Sequence, residues 1–385
     1  MQTKYLVHDT RTNDNFKKST FSGYKKADVL TEFTKACSDN KLENALFWLV
    51  EIHCSMYMTD FFEKIFIFIS TKIHLNSYNL PSIVWNHYLF WMDQEKKGIP
   101  SINNQKIRNS LFEVTALLIQ CERHRVIPKK KVIKDHDFNI NKLSSMITCS
   151  TNHISPNIIK TKDPKVLTIV FNELSYCITQ HSDLQGKIQD KKEREREHYM
   201  DKAVYWLSWI HKWESVQKKK GGSPDCAQRE VTNITKEDSC DIVWICWAVI
   251  LAECRRRHGC TSISQVASLY NMYKVNFTRS KKAGRMPIIV NALALLILDD
   301  AQVSLTNLTN PLIIQAIMKC NLLYQNIKKF EVRVQLPPPN LMQVNPVIKE
   351  EKVKKKGKDK MSDKVKDSVD KFDLVMEIDM QRQNI

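Results

Sequence analysis

Apolar residues along this chain recur roughly every three to four positions, the spacing that places them on one face of an α-helix. Leu42, Ala45, Leu46, Leu49 and Val50 form one such stripe, running to Met56 behind Asn40 and Glu43, which have capping-box spacing. Asp60 and Glu63 open a second helix through Ile69, and Ser82 to Met92 gives a third beyond Pro81. Ile107, Leu111, Val114, Leu117 and Leu118 mark a fourth over Asn104 to Arg125. The stretch from Val126 to Asn157, rich in Pro, Asn, Ser and Lys, reads as a connector. Helical spacing resumes over Val166 to Thr179, Ile188 to Tyr199 and Ala203 to Trp213. Lys218 to Cys226 has loop composition. Asp241 to Arg257, Ser262 to Tyr273, Pro287 to Asp299 and Pro311 to Phe330 complete the helices. Val332, Val334 and Leu336 alternate briefly before Pro337, Pro338 and Pro339 end the folded body. The pattern predicts an all-α protein.

The helices also echo one another. The run Ala45 to His53 shares Ala, Trp, Leu, Ile and His with Ala203 to His211, at an offset of 158. Ile83-Val84-Trp85 returns as Ile242-Val243-Trp244 at 159, and Ala116 to Ile119 as Ala294 to Ile297 at 178. Three matches in one order predict two pseudo-repeated helical bundles, although apolar helices also share such residues by chance. The expected organisation is an N-terminal helical domain over 1–135 and a connector over 136–164. A second helical domain over 165–336 and a flexible, disordered tail over 337–385 follow.

Composition narrows the chemistry. Eight glycines in 385 residues, with only Gly221 and Gly222 adjacent, leave no place for the clustered glycines of a nucleotide-phosphate loop. Eleven cysteines without a C-x-x-C pair, several in apolar runs (Cys54, Cys177, Cys246, Cys320), predict a reducing compartment. The opening MQTKYLVHDT lacks an apolar signal core. The longest apolar runs, Ile242 to Ala252 and Ile288 to Leu298, have 11 residues, about half a membrane span. A soluble intracellular protein without membrane insertion is expected. The net charge is +17, and the tail from Pro346 carries only +2 of it, so the positive field belongs to the folded body. Such a field favours nucleic acid first, and an anionic membrane or acidic protein second.

Several short blocks resemble a family of uncharacterised helical proteins of nucleocytoplasmic large DNA viruses. They are Gly23-Tyr24-Lys25-Lys26, then Lys41, Glu43, Ala45 and Trp48, then Lys72-Ile73-His74-Leu75. In the second half, Tyr205-Trp206 with Trp209-Ile210 is similar to that family's YWIEWI helix, and Asp241, Trp244 and Trp247 to its D-x-x-W-x-x-W helix. Tyr273-Lys274 with Phe277-Thr278 and Arg285 is similar to its basic F-T segment. Ser208 stands where the family has glutamate, and Asn76 to Asn79 replace its Gly-Asn-Pro turn. The first half also resembles, faintly, the helical collar of clamp-loader-type ATPases, a hint of fold alone. The viral resemblance implies a role in genome handling or virion assembly, in host cytoplasm (virus factory) or the virion interior. It implies no activity and no cofactor.

The densest basic constellation is Arg255, Arg256, Arg257, Lys274, Arg279, Lys281, Lys282 and Arg285, interleaved with Tyr270, Tyr273 and Phe277. Cations neutralise phosphates and aromatic faces stack on bases, so the mixture suits single strands or RNA. The same cations also read as a solvated helix end, favoured there by the macrodipole. Arg125, Lys129, Lys130, Lys131 and Lys134 form a second basic patch, and Tyr24, Lys25 and Lys26 a third surface with an aromatic beside two cations.

Metal signals are weak: Cys254, His258 and Cys260 lack a fourth ligand, Cys121 and His124 lie far from Cys149 and His153, and Asp135-His136-Asp137 has turn composition. No metal is expected. No nucleophile motif occurs, and His53 and His211 read as packed helix residues, so an enzyme with dispersed carboxylates has no positive support. At the far end Phe372, Leu374, Val375 and Ile378 alternate with acids, a short amphipathic segment suited to docking on a viral protein partner. The expectation is a non-enzymatic nucleic-acid-associated factor acting in replication, transcription or packaging. The alternative is a virion structural or assembly protein docking acidic partners.

Overall fold

The computed structural model of the chain describes residues 3–98, 101–123, 133–134, 138, 140–180, 189–222, 224–257, 262–298 and 310–333. Among these residues the all-α expectation holds and no strand forms. The helices are α1 (Lys26–Ser38), α2 (Leu42–Cys54), α3 (Met58–Phe68), α4 (Leu80–Lys96), α5 (Gln105–Gln120) and α6 (Ile140–Met146). They continue as α7 (Lys165–Thr179), α8 (Gln189–Lys219), α9 (Val243–Arg256), α10 (Ser262–Lys274), α11 (Lys282–Ile297) and α12 (Pro311–Ile327). None of the described helices is long and apolar enough to cross a membrane. The amphipathic tail segment lies outside the described residues.

Local chemistry accounts for many helix ends. The Asn104 side chain accepts from the amides of Lys106 and Ile107 at 3.0 and 3.4 Å, so it caps α5 as its position suggests. Pro81 sits in the first turn of α4, where its missing N–H costs nothing. Asn40 departs from expectation. Its φ of +56° is left-handed, and it closes α1 instead of opening α2. The Lys41 amide reaches back to the Ala36 carbonyl at 2.9 Å and the Asn40 amide to Cys37 at 3.3 Å, a Schellman closure. Glu43, freed from capping, pairs with Lys319.

Two further differences concern helix continuity. The segments expected as Ile188 to Tyr199 and Ala203 to Trp213 are one 31-residue helix, α8, because nothing between them breaks a helix. Helix α11 begins at Lys282 and carries Pro287 inside it. The carbonyl deprived of a partner there belongs to Ala283, an exposed residue. Helices α1 and α6 lie where the spacing predicted none.

Packing divides the chain into two units: Met1–Met56 with Met318–Ile385, and Tyr57–Ile317. In the first, α1 packs on α2 and buries Phe33, Trp48 and Leu49. Val332 joins the unit by backbone pairing, the Thr10 amide donating to its carbonyl at 3.0 Å. His53 and Tyr324, both fully buried, share a hydrogen bond of 2.5 Å. The second unit is built around α11, whose run Ile288 to Ile297 is wholly buried against α3, α7, α8, α9 and α10. Trp244, Trp247, Tyr273 and Phe277 form one aromatic cluster in it, and Phe62, Phe66, Tyr88 and Trp91 another. The echoed runs Ala45 to His53 and Ala203 to His211 lie on α2 and α8, helices of 13 and 31 residues in different units. The pseudo-repeat expected from this echo is not confirmed.

Candidate nucleic-acid interface

The basic constellation over residues 255–285 folds largely inward. Glu253 on α9 is held by its own neighbours: Arg256 donates to both carboxylate oxygens at 2.8 and 2.7 Å, and Arg257 to one at 2.7 Å. Burial raises the Glu253 carboxyl, but the two guanidinium groups outweigh it and hold it below the ordinary glutamate range. Arg257 also donates at 2.7 Å to the carbonyls of Leu296 and Ile178. These belong to the last turns of α11 and α7, whose carbonyls lack helical partners, so one arginine ties three helix C-termini together.

Lys282 and Arg285 are not surface residues, contrary to the sequence reading. Lys282 is 6% exposed and donates to Glu214 and to both Asp241 oxygens, the latter at 2.9 and 2.8 Å. Arg285 is 3% exposed, donates to the Tyr273 carbonyl at 2.6 Å and pairs with Glu63 at 2.9 Å. Lys281 pairs with Glu63 and Arg279 with Asp225. The acids that neutralise these cations lie 41 to 222 positions away, beyond the reach of local pattern. The interleaved aromatics do not offer a stacking platform either. Tyr273 and Phe277 are buried, and the half-buried Tyr270 carries the Lys274 ammonium over its ring at 4.6 Å. Burial lowers the Lys274 ammonium. Arg255 is exposed, and no ion pair among the described residues engages it.

At Gly23 to Lys26 the tyrosine is half-buried, edge-on to Trp48 at 5.4 Å. Lys25 is the exposed residue before α1, and Lys26 is its first helical residue. Glu51, fully buried at the end of α2, accepts from the Ser22 amide and hydroxyl at 2.7 and 2.6 Å and so fixes the turn. Burial pushes the Glu51 carboxyl up, with the Ser22 and Thr20 bonds opposing it. The turn is thus a packed corner with one lysine outward.

Tertiary structure gathers a different basic rim around the segment 224–240. That segment doubles back on itself, Cys226 donating to the Cys240 carbonyl at 2.9 Å and Arg229 to Ser239 at 3.1 Å. Arg229 is buried on Asp163 at 2.6 Å, which brings in the loop before α7 with the exposed Lys160 and Lys162, and the exposed Lys165 that opens α7. Lys160 itself donates to the Gln228 carbonyl at 2.8 Å. Lys274 reaches Thr232 at 3.2 Å, and Arg279 reaches Asp225 at 2.7 Å and the Glu237 carbonyl at 2.5 Å. The end of α8 supplies exposed Lys219 and Lys220 a few residues before Asp225, and Lys236 is exposed within the segment. Gly221, at φ +75°, makes that helix end possible: the Gly222 amide closes on the Gln217 carbonyl at 3.0 Å. Only Lys274 and Arg279 of this rim belong to the constellation picked from sequence. The Lys-Lys-Lys run and the spacing of Lys160, Lys162 and Lys165 were the available signals.

The remaining motifs resolve into packing. Cys149 donates to the Thr151 carbonyl at 2.7 Å, while His153 meets the hydroxyls of Thr151 and Thr179 at 3.0 and 3.4 Å. Among the described residues no group of three His, Cys, Asp or Glu side chains could hold a metal ion. Cys254 is buried. Ser208, where the resemblance called for glutamate, is buried with its hydroxyl on the Val204 carbonyl at 2.7 Å. His124, Arg125, Lys129, Lys130, Lys131, Asp135, His136, Asp137, His258, Cys260, Phe372, Leu374, Val375 and Ile378 lie outside the described residues. No protein-family model, no curated protein and no solved structure matches the chain.

Proposed function

We propose that the protein is a non-enzymatic nucleic-acid-associated factor that holds phosphate backbones on the lysine rim around residues 224–240. One observation carries the reading. Up to Asn345 the chain has 48 basic against 33 acidic residues, an excess of 15. Each internal ion pair removes one charge of either sign, so the pairing of Arg257, Lys282 and Arg285 leaves that excess untouched; at the rim the exposed Lys160, Lys162, Lys165, Lys219, Lys220 and Lys236 outnumber the exposed Asp225, Glu230 and Glu237. With the nearby aromatics packed inside, the contact is to the backbone, indifferent to base and to strandedness. The short blocks resembling proteins of large DNA viruses make genome replication, transcription or packaging in host cytoplasm the setting of this proposal.

Titration of the full chain into labelled single-stranded RNA and duplex DNA, between roughly 50 and 200 mM salt, tests it. Affinity for both is expected to fall steeply with salt. Lys162→Gln, Lys219→Gln, Lys220→Gln and Lys236→Gln together should weaken binding uniformly and lower the salt slope by about one for each phosphate left without its lysine. An unchanged slope in the folded quadruple variant would sink the reading. A salt-insensitive complex would favour the assembly-protein alternative.

A further inference from the structure

Between α3 and the start of α11, both in the second unit, lies a cleft of about 240 Å³. Helix α3 turns Asp60, Glu63 and Lys64 toward it, at the i, i+3, i+4 spacing of one helix face. Lys281, Gly284 and Arg285 line the other side. The Glu63 carboxylate is gripped from three directions: Lys281 donates at 2.9 and 3.0 Å, Arg285 pairs at 2.9 Å, and Asn276 donates at 3.4 Å. Convergent cations around one oxyanion are the chemistry of an anion site, and here the protein's own carboxylate occupies its inner end.

Three further features point outward from that pair. Lys64 is exposed and in no ion pair among the described residues, so the cleft is lined by three cations, Lys64 beside the two carboxylates and Lys281 and Arg285 opposite them. The Arg285 guanidinium is oriented in advance, because burial and its 2.6 Å bond to the Tyr273 carbonyl leave it little freedom. The wall at Gly284 is bare backbone, with no atom within 4 Å of where a side chain would begin. At a water's share of about 30 Å³, the cleft has room for a tetrahedral oxyanion and a ring-sized substituent.

We propose that this cleft binds a phosphomonoester group, held by Lys64, Lys281 and Arg285 in competition with Glu63. A tetrahedral dianion suits donors arriving from separate elements, whereas a planar carboxylate would use only the arginine fork. A small phosphorylated metabolite and the 5′-phosphate of a nucleic-acid end share this chemistry. The site does not depend on the lysine rim, whose test uses none of these residues.

The test uses the full chain, with binding followed by calorimetry and by thermal unfolding at constant ionic strength. The probes are inorganic phosphate, chloride as control, and one oligonucleotide with and without a 5′-phosphate. Saturable stabilisation by phosphate over chloride is expected; saturation by inorganic phosphate alone identifies a small ligand, and preference for the phosphorylated oligonucleotide a strand end. Gly284→Leu fills the cleft from an open position and should abolish the effect while the unliganded melting temperature holds. Glu63→Gln keeps an oxygen for Lys281 and Arg285 but removes the competing charge, so phosphate should bind about tenfold tighter. No difference between phosphate and chloride overturns the proposal. So does undiminished binding in folded Gly284→Leu, or weaker binding in a Glu63→Gln chain that melts like the parent.

Discussion

Replacing Lys282 with methionine tests whether the basic constellation is an internal strut. Lys282 is the shared donor of two carboxylates whose side chains are 7% (Glu214) and 1% (Asp241) exposed. Without it, Glu214 keeps Lys218 at 2.8 Å, whereas among the described residues the Asp241 side chain keeps only the Val243 amide at 2.9 Å. Removing one partner from a buried ionic group while leaving the other typically costs about 3–5 kcal/mol. For a body of this size that corresponds to a melting temperature lower by roughly 10 °C. The pH dependence separates this from mere loss of packing. Burial raises the Glu214 carboxyl, but Lys282 and Lys218 overcome it and hold it below its ordinary 4.5. A depressed carboxyl contributes stability that is present above its unfolded value and lost as pH falls through its folded value. The parent chain therefore weakens in acid through this group. In the variant, protonating Glu214 relieves the burial of its charge, so the gap between the two proteins should narrow as pH falls. Urea unfolding followed by circular dichroism from neutral to acid pH measures both curves. A gap under about 1 kcal/mol at neutral pH, or one constant with pH, refutes the reasoning. Adding Glu214→Gln and Asp241→Asn should recover most of the loss, since a neutral group keeps the cap on Val243 without a buried charge.

Three smaller perturbations follow from the same geometry. Because burial raises the Glu51 carboxyl, its contribution is fully present below the unfolded value and fades as pH rises through the folded one. Glu51→Gln should thus gain stability relative to the parent at neutral pH, the difference vanishing near pH 4.5, as read by urea midpoints. Burial lowers His87 to about 4, so it stays neutral in the fold while the unfolded residue binds a proton below its usual 6.5. His87→Gln, which keeps an acceptor for the Ser110 hydroxyl (2.6 Å in the parent), should remove stability loss between those two values; an unaltered acid limb in thermal melts contradicts this. Gly221→Ala meets open space but must hold φ +75°, so it should cost about 1 kcal/mol, and Gly221→Asn clearly less, as read by urea midpoints.

The α-helical class was legible because helix formation is local: a 3.6-residue period, Asn104 before an apolar stripe and Pro81 in a first turn act within a few positions. What each cation does was decided elsewhere. Arg257, Lys282 and Arg285 look alike in a basic run, yet they clamp helix ends or neutralise Glu214, Asp241 and Glu63 because folding brings those distant groups beside them. Asn40 turned from opening α2 to closing α1 for a related reason, since two adjacent helices compete for the same short linker. The lysine rim assembles from the loop before α7, the end of α8 and the segment 224–240, with no shared period to announce it. Sequence pattern encodes which face of a helix leaves water. Which charges then meet depends on Coulomb forces between groups whose separation only the packed chain defines.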